Sequence, residues 1–282
     1  ILLFYSHMSG GQYLLGDYDL VRDKFLVFSG GLFNFGASTP SGVHAPSATP
    51  DGLGGVMAIF NMNQGMETKG WNQIMTLPRL LTLENDSVLN IKPAGDIESL
   101  RYDHKHLEET VLPPNKEVVL DGIEGNTMEI IAEIDAKSSP MVELNVLRSK
   151  NREEYTRIAF FKDRGFRITD WGDKTGALLQ SANTVVSHYG TPRTIPDRKS
   201  VLSIDSSYSS ILPGVLSRAP ESTTITLETE EHLQLRIFID RSVVEVFVND
   251  KACLAVRVYP GLADSLGISL RAQGSEAMLL SL

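Results

Sequence analysis

The stretch Leu233-Gln234-Leu235-Arg236-Ile237-Phe238-Ile239-Asp240-Arg241-Ser242-Val243-Val244-Glu245-Val246-Phe247-Val248-Asn249-Asp250 decides the fold. Leu233, Leu235, Ile237 and Ile239 alternate with Gln234, Arg236 and Phe238, the period of two that a half-buried strand requires. Asp240-Arg241 turns the chain into a second strand, Val243 to Val248, and Asn249-Asp250 is a hairpin signal because both residue types tolerate positive φ. Ala252, Leu254, Val256 and Val258 then share one face, followed by Leu266, Ile268 and Leu270, and finally by Met278, Leu280 and Leu282. The expectation is a five-strand meander.

The same alternation runs upstream, through Met128, Ile130, Ala132 and Ile134, then Val142, Leu144 and Val146, then Ile158 and Phe160. An antiparallel sheet with one apolar face must bury it against another, so residues 116–282 are expected to form a β-sandwich. Before that lies a polar stretch, 98–115, holding Arg101, Asp103, His104, Lys105, His106, Glu108 and Glu109 and closed by Pro113-Pro114. It reads as a linker. Residues 1–97 give short strands at Ile1 to Tyr5, Gln12 to Tyr18, Lys24 to Phe28, Gly55 to Phe60, Trp71 to Leu77 and Ser87 to Ile91, divided by Gly, Pro and Asp turns. That number of strands suits about two blades of a β-propeller, and two blades cannot close a ring. Strands that complete it are expected outside this chain. The fold class is therefore all-β.

Composition narrows the chemistry. A net charge of −9 lacks the clustered cations that nucleic acid demands, so nucleic acid is not an expected partner. No run approaches the length of a membrane span, and the start at Ile1, apolar and without a basic lead, reads as the middle of a longer protein. Cys253 is the only cysteine, so neither a disulfide nor a multi-cysteine metal site can form within the chain, and the compartment stays open. His104 and His106 have metal-like spacing without a third ligand nearby and read as part of a solvated hinge. No metal or other cofactor is implied.

Four segments, in order, resemble the C-terminal half of glycoside hydrolase family 32, the invertases and fructan hydrolases. They are Gly16-Asp17-Tyr18-Asp19, Gly42-Val43-His44-Ala45-Pro46-Ser47, Gly70-Trp71-Asn72-Gln73-Ile74-Met75-Thr76-Leu77-Pro78-Arg79, and Leu235 to Asp250 with Arg257-Val258-Tyr259-Pro260. The resemblance implies a five-bladed β-propeller followed by a β-sandwich. It also implies retaining hydrolysis or transfer of fructosyl groups of sucrose or a fructan, which needs two carboxyl groups about 5 Å apart. The family's three carboxylate motifs are absent: Arg22-Asp23 is followed by Lys24 rather than Pro, Asn249-Asp250 by Lys251, and Cys253 is preceded by Ala252 rather than Glu. By family spacing the acid/base Glu lies shortly before Ile1. The chain alone is thus expected to be inactive, and its expected partner is the N-terminal half of the same enzyme or an oligomeric partner that completes the propeller. The rival expectation is a non-catalytic carbohydrate-binding or interaction module.

By resemblance, His44 and Ser47 fall on a strand approaching the substrate funnel, and Asn61 and Asn63 follow the next strand and line it. Each is a candidate sugar contact, against the plainer roles of turn histidine and loop-capping asparagine. Asp17 and Asp19 read as turn caps rather than a dyad. Trp71 reads as core rather than a sugar-stacking ring. Glu245 reads as an edge or interface carboxylate satisfied by Arg236 or Arg257.

Overall fold

The computed structural model describes residues 1–6, 10–33, 42–62, 65–71, 73–85, 88–163, 199–216 and 218–282, which contain no α-helix. Strands β1 (Leu2–Ser6), β2 (Gly10–Asp19) and β3 (Lys24–Leu32) form one antiparallel sheet. A second sheet holds β4 (Val43–Pro50), β5 (Val56–Met62), β7 (Arg79–Glu84) and β8 (Val88–Pro93), with the short β6 (Ile74–Met75) paired to β5. The strand expected over Trp71 to Leu77 is thus reduced to Ile74–Met75, while the neighbouring Thr76 is bonded to Phe60 through N–H to carbonyl at 2.8 Å. β7, RLLTLE, lies outside the expected strands because its buried face opens on the charged Arg79 rather than an apolar residue.

The remaining strands are β9 (Thr110–Leu112), β10 (Glu117–Glu124), β11 (Thr127–Asp135), β12 (Met141–Arg148), β13 (Thr156–Phe161), β14 (Ser200–Asp205), β15 (Glu221–Ile225), β16 (Leu233–Asp240), β17 (Val243–Val248), β18 (Ala252–Arg257), β19 (Gly267–Gln273) and β20 (Ala277–Ser281). They make two six-stranded antiparallel sheets, ordered β10-β19-β12-β13-β14-β15 and β18-β17-β16-β11-β20-β9. The expected faces of β11, β12, β13 and β16 meet in one apolar core, Ile130, Ile134, Leu144, Ile158, Leu235 and Ile237 among its members. This is a β-sandwich.

The meander is corrected by the structure. β16, β17 and β18 are neighbours, and the hairpin at Asn249 (φ 46°) and Asp250 (φ 54°) closes with Lys251 N–H on the Val248 carbonyl at 2.9 Å. The chain then crosses to the opposite sheet, where β19 sits between β10 and β12, and returns as β20 between β11 and β9. The loop after β18 makes the crossing possible because a buried carboxylate holds it. Glu154 accepts N–H bonds from Gly261 at 2.8 Å and Leu262 at 3.0 Å and the Ser265 hydroxyl at 2.6 Å. It also accepts Ile211 N–H at 2.7 Å, so one anion fastens two loops. The face of β20 is corrected too. Ala277 and Leu279 are buried instead of Met278, Leu280 and Leu282, since an unbroken apolar run has no period to choose between faces.

The stretch 98–115 runs against the sandwich. Arg101 binds Glu129 of β11 through two bonds of 2.7 and 2.9 Å, Arg236 bridges Glu129 and Glu98, Leu107 exchanges backbone bonds with Leu282, and β9 pairs with β20. His104 and His106 stay exposed, His106 lying 3.4 Å from Glu108.

A second core joins the two units. Phe33, Val43, Phe60, Met62, Leu81 and Ile91 pack against Val243, Phe247, Cys253 and Ala255. β17 is therefore buried on both faces: Val244, Val246 and Val248 point into the sandwich, while Val243, Glu245 and Phe247 belong to the junction. That accounts for its nearly unbroken apolar sequence.

Candidate functional site

The site begins with an irregularity in β4. Pairing with β5 runs Val43 to Met62 and His44 to Asn61, then resumes at Ser47 to Ile59, with a bulge between. Ala45 adopts φ 46° there, and Pro46, lacking an N–H, costs the ladder nothing. Without the bulge His44 and Ser47 would point to opposite faces; the extra residue puts both on one. Ala58, Phe60 and Met62 of β5 face the junction core, so Ile59 and Asn61 face away, beside their partners Ser47 and His44. His44, Ser47 and Asn61 thus share one face, which the resemblance alone did not place. Across it, the Tyr5 ring of β1 lies 6.0 Å from the His44 ring. Asn63 lies outside the described residues. An imidazole, a hydroxyl and a carboxamide can each donate or accept a hydrogen bond to a neutral hydroxyl, but none is an acid able to attack or protonate a glycoside.

The other candidates have structural work. Asp19 accepts N–H bonds from Val21 at 2.9 Å and Arg22 at 3.0 Å, capping the β2 to β3 turn, and Asp23 accepts the Tyr18 hydroxyl. Trp71 is not core: it is 49% exposed and stacks on Arg257, whose guanidinium lies 5.3 Å from the Trp71 ring and 5.2 Å from Tyr259. The reason is positional, because the residues around it form a loop at the rim of the junction rather than a strand within it.

Glu245 is buried as an interface carboxylate, but its partner is neither Arg236 nor Arg257. It binds Arg79 Nη2 at 3.1 Å and accepts Leu77 N–H at 2.6 Å. Burial pushes its carboxyl above the usual range, against the pull of Arg79 and Leu77. The Arg79 guanidinium lies 5.0 Å from the Phe60 ring and 6.0 Å from Phe247, so aromatic faces attend the cation as well. Burial likewise pushes the adjacent Cys253 thiol up, leaving it inert. The signal available in the sequence was a lone Arg in one apolar strand and a lone Glu in another, and only the fold pairs them.

Fold and face together define an all-β protein whose strands, among the described residues, pair antiparallel. Residues 96–282 match the profile described as Glycosyl hydrolases family 32 C terminal, and the chain belongs to that family. It is 26% identical over 89% of its length to the Arabidopsis thaliana beta-fructofuranosidase, insoluble isoenzyme CWINV1, and covers 45% of that protein. It is 53% identical to the raffinose invertase of Escherichia coli over 57 residues, 20% of this chain. Its fold superposes on fructan 1-exohydrolase IIa from Cichorium intybus with a TM-score of 0.76 at 15% identity, over 97% of this chain and 54% of that one. The chain spans about half the length of the long-matching curated relatives.

Proposed function

We propose that the chain is the C-terminal half of a retaining β-fructofuranosidase-like glycosidase acting on sucrose or a fructan, with its catalytic carboxylates on chain outside these residues. The observation that carries this reading is the family match joined to a polar face, His44, Ser47 and Asn61, that bears hydrogen-bonding groups but no acid. In this reading the face touches substrate hydroxyls, and β1 to β8 are the last blades of the family's propeller.

The β1 to β3 sheet supports a missing neighbour. Leu2, Phe4 and Tyr5 of β1 and the consecutive Leu26, Val27 and Phe28 of β3 are all exposed, so apolar side chains emerge from both faces of an edge strand. Such a surface calls for cover. The N-terminal half of the same enzyme is the proposed cover.

The test is activity on sucrose and inulin, with the chain alone and after co-expression with the N-terminal half of a family 32 enzyme. The expected result is no turnover alone, and association with recovered turnover in the pair. Hydrolysis by the isolated chain would overturn the assignment of the carboxylates.

A further inference from the structure

Tyr155 and Tyr208 stand at the same end of β13 and β14, and their rings stack with centroids 5.2 Å apart and planes 6° from parallel. Tyr155 N–H donates to the Tyr208 carbonyl at 2.9 Å, and one residue further along each segment the hydroxyls of Thr156 and Ser209 meet at 2.8 Å in the interior. The Arg152 guanidinium lies 4.8 Å from the centre of the Tyr155 ring. It is held in turn by Glu117 and Glu143, each 3.6 Å away. The stack is therefore braced by ion pairs on the outer face of the sheet and, one residue along, by the buried Thr156–Ser209 contact. The outermost ring, Tyr208, is nevertheless 56% exposed.

A flat ring held rigid and half open to water has already lost the conformational freedom that binding would otherwise take from it. Its apolar face suits the C–H face of a sugar ring, and its hydroxyl can meet a sugar hydroxyl. Ser207, and the carboxylates of Glu153 and Asp205, lie next to the two tyrosines in sequence, and the chain as a whole carries −9. That sign disfavours an anionic polymer and leaves neutral hydroxylated chains.

We propose that Tyr208 is a stacking platform for a neutral polysaccharide, a second binding site on the sandwich, apart from the His44 face. It does not depend on the fructoside reading. The test is migration of the full chain in native gels cast with soluble inulin, with dextran, or with neither.

Wild type and Tyr208→Phe, which keeps the ring, are expected to be retarded in at least one polysaccharide. Tyr208→Ala is expected to bind about tenfold more weakly while melting at the wild-type temperature. Retardation by dextran alone would support the platform and leave the fructoside reading to the turnover assay, so the two can fail separately. Should Tyr208→Ala melt lower, Tyr208→Trp replaces it: a blue-shifted emission on adding the retarding polysaccharide supports stacking, and an unmoved spectrum refutes it. The proposal is overturned if wild type migrates alike in all three gels, or if Tyr208→Ala, folded, is retarded as strongly as wild type.

Discussion

Arg79 of β7 and Glu245 of β17 meet at 3.1 Å across the junction of the two units, with side chains 0% and 2% exposed. Arg79 Nε and Nη1 have no hydrogen-bond partner among the described residues, so the cation leans on Glu245 and the rings of Phe60 and Phe247. Removing one partner strands a buried charge, and Arg79→Met or Glu245→Leu alone should cost about 3–5 kcal/mol. The double variant should recover most of that loss. Denaturant melts of the two single variants and the double variant read the coupling directly. Additive losses would show that the charges do not act as a pair.

Glu154 predicts how the protein meets acid. Burial works to raise its carboxyl, but the bonds from Ser265, Leu262, Gly261 and Ile211 outweigh it and hold the group below the usual range. A carboxyl lower in the folded than in the unfolded state contributes stability that is full above the unfolded value. That stability is lost as pH falls through the folded one. Glu117, lowered chiefly by its bond to Arg148, acts in the same sense. Glu154→Gln should cost about 2–3 kcal/mol near neutrality. It should also flatten the fall in stability below about pH 4.5, which melting temperatures across that range would register.

Gly16 predicts a steric limit. A Cβ there would stand 2.2 Å from the Leu26 carbonyl oxygen across the β2–β3 pair, at the register shift between Leu15 and Gly16. Gly16→Ala must push backbone apart, and a loss of roughly 1–3 kcal/mol is expected. An unchanged melting temperature would mean that the hairpin yields freely.

On the proposed function, the His44 face predicts a kinetic signature once the chain is paired with an N-terminal half. His44→Ala and Asn61→Ala should raise KM on sucrose or inulin about five- to tenfold, the worth of one hydrogen bond each, and leave the fold intact. Loss of stability without a change in KM would make both residues structural.

Much of the fold was legible because alternation survives wherever one face of a strand is wet. β11 and β16 show this, with Ile130 and Ile134 set against Leu233 to Ile239, and their buried faces fall where the pattern put them. It fails where a charge sits on the buried face or the run is uniform: β7 buries Arg79 beside Leu81 and so does not read as a strand, and β20 buries the face opposite to the expected one. The candidate face was legible only as residue types. His44 and Ser47 are three apart, a spacing that separates faces in a regular strand, and only the bulge at Ala45 unites them.

The amino-acid sequence by itself determined that this protein is all-β, where its hairpins turn, and which family it belongs to, since period, turn chemistry and motif order are local properties. The tertiary structure alone decided that β19 and β20 part company between two sheets, that Trp71 sits at a rim, and that Arg79 answers Glu245. Those outcomes depend on which apolar faces find each other at a sequence separation of 166, and local pattern carries no record of the partner.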